Sequence, residues 1–248
     1  AAFAGDAPPS LTTVTATLQA KSAHAYFYAD DAIAADRSAL EAAAAEFESS
    51  AWPAVTSVFG TPATPGVDGD PRLIILPADL GGAVGGYVSG DDGYLRAVEP
   101  KSNEAEMVYL DRTLRPGGDA FNVVLAHELQ HLIHSGQDAG EEAWVNEGLS
   151  ETAAGLAGGA LSSVDLFEGS PETRLTYWPV GNTRPHYGAS AAFFRYLADR
   201  FGGDGALGAI ARAQGDGTAG VDEFLASART GVQFQEAFAD WITANALN

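Results

Sequence analysis

The sequence predicts an α+β fold in which a mixed sheet with helices, over residues 1–118, is followed by a mainly helical part, over residues 119–248. Segments rich in β-branched and aromatic residues occur before Asp119, whereas apolar residues recur at helical spacing after it. No internal repeat or low-complexity linker separates the two parts. We therefore expect two subdomains of one unit, with the helix that begins at Asp119 between them.

In the N-terminal part, the composition predicts short strands separated by turns. The expected strands cover residues 11–18, 24–28, 72–76 and 107–111. A helix is expected over residues 36–49, and Pro53 should restrict or kink its continuation. The glycine-rich segment 81–93 has two open interpretations, a backbone that approaches a ligand or strand closely and a flexible loop or hairpin.

In the C-terminal part, helix start and stop signals are clear. Asp119 is the predicted N-cap of a helix over residues 119–134, and Gly136 is its predicted stop. Glycine pairs also follow the next two predicted helices. The remaining helices are expected over residues 142–156, 186–201, 204–213, 221–228 and 230–247.

Charge and composition exclude several classes of function. The chain has 33 acidic and 13 basic residues and a formal net charge of −20, so we expect it to repel nucleic acid and anionic membranes. No apolar run approaches the ~20 residues that a membrane-spanning helix needs. We also expect the chain to be a monomer. The absence of cysteine excludes thiolate metal ligands. The acidic pairs Asp30–Asp31 and Asp91–Asp92 could bind calcium, but neither lies in a recognisable ligand loop.

The segment His-Glu-Leu-Gln-His, residues 127–131, carries the strongest functional signal. Two histidines four residues apart on a helix lie ~40° apart around the axis and ~6 Å apart along it, so both imidazoles can bind one metal ion. Glu128 points to a neighbouring sector, where it can act as a general base without being a ligand. The alternative is a surface helix that carries this pattern by chance. The residues around the motif are mostly apolar, however, which favours a buried helix whose polar groups need a partner.

The third metal ligand is predicted to be Glu147. Another clan has a glycine three residues and a histidine six residues after the second ligand histidine. Here those positions hold His134 and Gln137, so the pattern is absent. Glu147 and Glu151 lie one helical turn apart on a largely apolar helix, so their mutual repulsion is relieved if Glu147 binds a dication. Glu151 can then accept the free ring N–H of a ligand histidine.

Asn146, next to Glu147, is also assigned to the surroundings of the ligands. If Glu147 were not the third ligand, the next candidates would be Asp138, Glu141 and Glu142.

His-Glu-Leu-Gln-His followed by Asn-Glu-Gly-Leu-Ser-Glu resembles the gluzincin clan of zinc metallopeptidases, which includes thermolysin and the zinc aminopeptidases. The segment from Ser102 to Asp111 further resembles the hyicolysin-like secreted metallopeptidases. The resemblance implies a zincin-like fold, one catalytic zinc ion and Glu128 as the catalytic base. It also implies a secreted protein, and we expect any export signal or propeptide to have been removed before residue 1.

Two departures from the clan matter. Fifteen residues separate His131 from Glu147, a few fewer than in the thermolysin and aminopeptidase branches. The chain also has no Gly-x-Met-Glu-Asn element, which in the aminopeptidases binds a free N-terminus. Its absence favours an endopeptidase over an aminopeptidase.

A donor for the oxyanion of the tetrahedral intermediate is expected at the start of the third helix. The segment from Tyr187 to Leu197 is similar to the aminopeptidase helix whose leading tyrosine has this role. Tyr187 is therefore the first candidate and His186 the second, although Tyr187 could also serve only to pack the helix start.

The sequence thus predicts a zinc-dependent endopeptidase acting on protein or peptide substrates. An extended substrate is expected to lie along an edge formed by residues 107–111. The rival hypothesis is a non-catalytic, zinc-stabilised binding or adhesion module. Glu128 separates the two hypotheses, because a purely structural site needs no carboxylate beside the metal.

Overall fold

The computed structural model of the chain describes residues 12–34, 36–82, 84–160 and 162–247. It confirms the α+β class, with a five-stranded mixed sheet and a helical C-terminal part. Residues 1–10, and Leu11 of the first predicted strand, lie outside the described residues. None of the described helices is long and apolar enough to cross a membrane.

The sheet has the strand order β1-β2-β3-β5-β4. The β1–β2 and β4–β5 pairs are antiparallel, and the β2–β3 and β3–β5 pairs are parallel. The predicted strand over residues 107–111 has the predicted bounds, and the others are shifted by a few residues. The strands are β1 Ala16–Lys21, β2 Ala25–Asp30, β3 Leu73–Ala78, β4 Gly86–Tyr87 and β5 Met107–Asp111.

The predicted position of β5 at an edge of the sheet is wrong, because β5 lies between β3 and β4. The edge is instead β4, which comes from the glycine-rich segment and pairs Gly86 with Leu110 and Tyr87 with Tyr109. A Cβ atom on Gly86 would lie only 2.8 Å from the backbone oxygen of Tyr109. Of the two interpretations of this segment, close approach to a strand therefore applies at Gly86.

Two helices, Trp52–Phe59 and Ser162–Glu168, were not predicted, and the other helices agree with the predicted ones within a few residues. A π-helical turn, Phe47–Ala51, joins α1 to α2, so Pro53 interrupts the regular hydrogen-bond pattern without ending the helical path. The helices are α1 Arg37–Glu46, α2 Trp52–Phe59, α3 Asp119–Ser135, α4 Ala143–Leu156, α5 Ser162–Glu168, α6 Arg184–Phe201, α7 Asp204–Ala211, α8 Thr218–Ser227 and α9 Phe234–Leu247.

The prediction that Asp119 is the N-cap of α3 is wrong by one residue. Gly118 is the N-cap, and Asp119 is the first helical residue, where its negative charge still favours the positive end of the helix dipole. Gly136 is the C-cap, as predicted.

The main hydrophobic core extends from the sheet into the helices. Val108 and Leu110 face this core, whereas Met107 and Tyr109 face a smaller cluster on the other side of the sheet. Residues from both sides of position 119 contribute to the main core, from Phe27 on β2 to Trp241 on α9. Helix α3 packs against β5, and α4 packs against both α3 and α6. The two predicted subdomains therefore share one core.

A half-buried acid in the α3–α4 connection, Glu141, predicts a pH-dependent stability. Burial, reinforced by the charges of Asp138 and Asp216, raises the pKa of Glu141 from 4.5 to about 7. The folded chain then binds more protons than the unfolded chain between about pH 4.5 and 7, so this group's contribution to stability falls as pH rises through that window.

Between about pH 4.5 and 7, we expect the free energy of unfolding to fall by about 1–2 kcal/mol less in Glu141→Gln than in the wild type. This figure is reduced because the side chain is partly exposed to water, which screens its charge. Urea denaturation of the metal-free wild type and variant at the two ends of the window measures this difference. Parallel stability curves for the two proteins would contradict the prediction.

Candidate metal centre

Three side chains converge on one point between α3 and α4. Nε2 of His127 lies 3.1 Å from Nε2 of His131, and each of these nitrogens lies 3.3 Å from Oε2 of Glu147. The three side chains are largely buried, with exposed fractions of 13%, 15% and 4% respectively. These residues are the predicted ligands, and among the described residues they form the group that could hold a metal ion.

The spacing of the three atoms fits a tetrahedral ion. Zinc bonds of about 2.0–2.1 Å at tetrahedral angles separate neighbouring ligand atoms by about 3.3–3.4 Å, and the observed separations are 3.1–3.3 Å. The chemistry of the donors agrees, because two imidazole nitrogens and a carboxylate oxygen are ordinary zinc ligands. Three protein ligands leave one tetrahedral position for water or substrate.

Helical spacing explains why these residues meet. His127 and His131 lie one turn apart on α3, and Glu147 projects from α4, which packs against α3. Burial opposes a charge on His127, but its contacts with Glu147 and Glu151 outweigh that effect and raise its pKa. Burial opposes a charge on Glu147, but its interactions with the imidazoles of His131 and His127 outweigh that effect and lower its pKa.

The outer nitrogen of His127 faces a carboxylate, as predicted. Oε1 of Glu151 lies 3.3 Å from Nδ1 of His127, and Oε2 of Glu151 accepts a 2.5 Å hydrogen bond from Ser163 on α5. An acceptor at Nδ1 favours the tautomer that leaves Nε2 free for a metal. Ser163 fixes the acceptor in turn.

The outer nitrogen of His131 faces two oxygen atoms. Oδ1 of Asn146 lies 3.1 Å from Nδ1 of His131, and Oγ of Ser150 lies 3.0 Å from it. Ser150 also donates a short hydrogen bond to Oε1 of Gln130, so its oxygen is free to accept from the imidazole. Asn146 and Ser150 are one turn apart on α4, so both reach the outer nitrogen of His131.

Glu128 lies beside the triad without belonging to it. Its side chain is only 5% exposed, and burial raises its pKa, although the two imidazoles act in the opposite direction. Strand β4 passes close by, since a Cβ atom on Gly86 would lie 3.0 Å from Cγ of Glu128. The structure therefore places a buried carboxylate between the triad and the edge of the sheet.

Of the two predicted oxyanion donors, the structure brings one to the triad. The Tyr187 ring lies 6.2 Å from the ring of His127, and burial and the charges of Glu147, Glu128 and Glu151 raise the pKa of its hydroxyl. His186 contacts the segment before α6 instead, with Nδ1 3.1 Å from the backbone oxygen of Arg174 and its ring against Trp178. The two candidates therefore have different surroundings, and the choice of His186 as the second donor stays a prediction.

The other acidic candidates are occupied elsewhere. Glu141 accepts a hydrogen bond from the backbone of Gly217, and Glu142 accepts one from the indole of Trp144. Asp138 accepts one from Gly140. None of the three belongs to the group that could hold a metal in the described part of the chain.

The acidic pairs considered for calcium are likewise used in internal hydrogen bonds. Asp92 is buried and accepts hydrogen bonds from Tyr109 and Asn103. Asp30 accepts one from the backbone of Ala32. Neither pair forms part of a metal-capable group within the described ranges.

Several residues of the site were missed by the sequence analysis. Ser150 could have been found, because it lies one turn after Asn146 on the same helix. Ser163 and Trp178 could not, because one lies on an unpredicted helix and the other in a loop. Trp178 packs edge-on against Tyr187, with ring centroids 4.9 Å apart.

Comparison with known proteins adds no family to this description. No protein-family model matches the chain, and a search of curated proteins finds no match either.

Proposed function

We propose that the chain is a zinc-dependent endopeptidase with a zincin-like, gluzincin-type site. The observation that carries the proposal is the convergence of His127, His131 and Glu147 on one point, with Glu128 buried beside them. Hydrolytic zinc sites have three protein ligands and an open position, whereas structural sites usually have four protein ligands. A zinc ion held there would supply Lewis-acid polarisation of a peptide carbonyl and would lower the pKa of a water to about 7.

Glu128 has the role of general base. The charge of its carboxylate interacts with His127, His131 and Glu147, so it would accept the proton of an attacking water at the triad and return it to the leaving nitrogen. Its burial between the triad and β4 supports this role, because a base in a site of low water content holds its proton for the second transfer.

Tyr187 has the role of oxyanion donor. The Tyr187 ring lies 6.2 Å from the ring of His127, so its phenolic hydroxyl would donate a hydrogen bond to the carbonyl oxygen of a substrate bound at the triad, where negative charge develops. The packing of Trp178 against the Tyr187 ring restricts the ring's orientation.

The free side of β4 is the proposed substrate edge. Its two residues, Gly86 and Tyr87, lie at the end of the sheet, and Gly86 lies next to Glu128. An extended peptide can add to such an edge through backbone hydrogen bonds, which would bring its carbonyl groups past the base.

The proposal is tested by metal analysis of the purified protein and by digestion of casein with and without a chelator. We expect about one zinc per chain, loss of digestion with the chelator and recovery on adding zinc. Cleavage of a peptide with an acetylated N-terminus separates an endopeptidase from an aminopeptidase. Zinc-loaded protein that cleaves neither casein nor the peptide would favour the binding-module hypothesis.

The close approach of β4 to Glu128 gives a second test. A methyl group at Gly86 would lie 2.8 Å from the oxygen of Tyr109 and 3.0 Å from Cγ of Glu128, so the strand or the base must shift. We expect Gly86→Ala to lower kcat/KM about 10-fold or more without loss of zinc. Gly90→Ala is the matched control, because a Cβ there meets nothing within 4 Å. Equal kinetics for the two variants would contradict the proposed placement.

A further inference from the structure

A third histidine of α3, His134, lies behind the metal site in the protein core. Its side chain is 1% exposed. Nδ1 of His134 lies 3.2 Å from Oδ1 of Asn146, and the same oxygen lies 3.1 Å from Nδ1 of His131. The carbonyl oxygen of Asn146 therefore stands between two imidazoles, one of which is a proposed ligand.

The ring tautomers of His131 and His134 and the orientation of the Asn146 amide follow from the geometry. Nε2 of His131 points at the triad, so a metal-binding His131 carries its proton on Nδ1 and donates it to an acceptor. Asn146 must then present its oxygen, because an amide NH₂ group would face another donor. His134 completes the arrangement only if it also donates from Nδ1, which uses both lone pairs of the Asn146 oxygen.

A packing role alone does not account for His134. With Nδ1 protonated, Nε2 is an acceptor, and this atom is buried without a hydrogen-bond partner in the described part of the chain. A buried unpaired polar atom destabilises a protein. Leucine would fill a similar space without that penalty, so the imidazole destabilises the fold at a position where an apolar residue would not.

We propose that His134 is a positioning residue of the metal site: it holds the Asn146 side chain with its oxygen toward His131, and thereby keeps Nε2 of His131 free for the metal. The inference rests on the metal site of the proposed function. Ser150 also accepts from His131, so loss of His134 weakens metal binding and does not abolish it.

The test compares zinc dissociation constants, measured by competition with a chromophoric chelator, for a set of purified variants. His134→Leu removes the donor, whereas His134→Asn restores one, because the side-chain amide nitrogen of asparagine replaces Nδ1. Asn146→Leu removes the proposed intermediary, alone and together with His134→Leu. Ile133→Val is the control for a small core change at the neighbouring residue, whose apolar side chain cannot donate a hydrogen bond to Asn146.

We expect His134→Leu to weaken zinc binding about 3–10-fold and Asn146→Leu about 10–100-fold. His134→Asn and Ile133→Val should stay within about twofold of wild type, and the double variant should match Asn146→Leu alone. Additive losses in the double variant, or an unchanged constant for His134→Leu, would overturn the inference while leaving the metal site intact. A wild-type chain that binds no zinc would contradict the proposed site itself, and the inference with it.

A measurement on the wild type protects the test against a misfolded variant. Long-range ¹H–¹⁵N NMR of the zinc-loaded protein at about pH 8 reports the ring tautomers of its histidines. We expect His134 and His131 both to carry their protons on Nδ1. A His134 protonated on Nε2 would overturn the inference without any substitution.

Discussion

Glu128→Gln is expected to lower kcat/KM for peptide hydrolysis by about 10³-fold while leaving zinc content and folding unchanged. Glutamine has nearly the same shape as glutamate but cannot accept a proton at neutral pH. Glu128 lies outside the triad that could hold a metal, so its neutralisation should not remove a ligand. The loss should fall on kcat more than on KM, because proton transfer belongs to the chemical step.

The control for this variant is Glu46→Gln, which makes the same change on the exposed end of α1. It should have wild-type kinetics. Full activity in Glu128→Gln would refute the role of general base. If Glu128→Gln kept full activity while Glu147 variants lost their zinc, another carboxylate would be the base.

Glu147→Ala is expected to weaken zinc binding by about 10³-fold, more than the about 10–100-fold that follows loss of an outer partner. The variant removes one of three convergent ligand atoms and leaves two imidazoles whose nitrogens lie 3.1 Å apart. Activity should fall with zinc occupancy and should recover only in part at high zinc concentration.

The graded comparison is Glu151→Gln, which changes a carboxylate one turn away that touches the outer nitrogen of His127. It should weaken zinc binding about 10–100-fold. Tight, stoichiometric zinc in Glu147→Ala would show that a different side chain completes the site. A larger loss in Glu151→Gln than in Glu147→Ala would exchange the roles of the two residues.

The convergence of the three side chains that could hold a metal could be predicted because it depends on helical periodicity. His127 and His131 converge by their spacing alone, and the acidic pair at 147 and 151 has the same spacing on the following helix. The apolar neighbours of both pairs indicate that the two polar faces meet each other within the core. Local sequence thus determined which atoms meet, because few long-range contacts were needed.

Features that depend on tertiary contacts were harder to predict. The edge strand β4 has only two residues, too few for a pattern, and its pairing with β5 moved the free edge away from residues 107–111. Helix α5, which supplies Ser163, has seven residues and follows a glycine-rich stretch without a clear start signal. The orientation of His186 depends on the backbone oxygen of Arg174, which no sequence pattern reveals.

The central claim is tested most directly by an anomalous-difference map from crystals of the zinc-loaded protein, recorded at the zinc absorption edge. We expect one peak, within bonding distance of about 2.0–2.2 Å of Nε2 of His127, Nε2 of His131 and a carboxylate oxygen of Glu147, with a non-protein ligand in the fourth position. A peak remote from these three atoms, or a fourth protein side chain bound to the ion, would contradict the account.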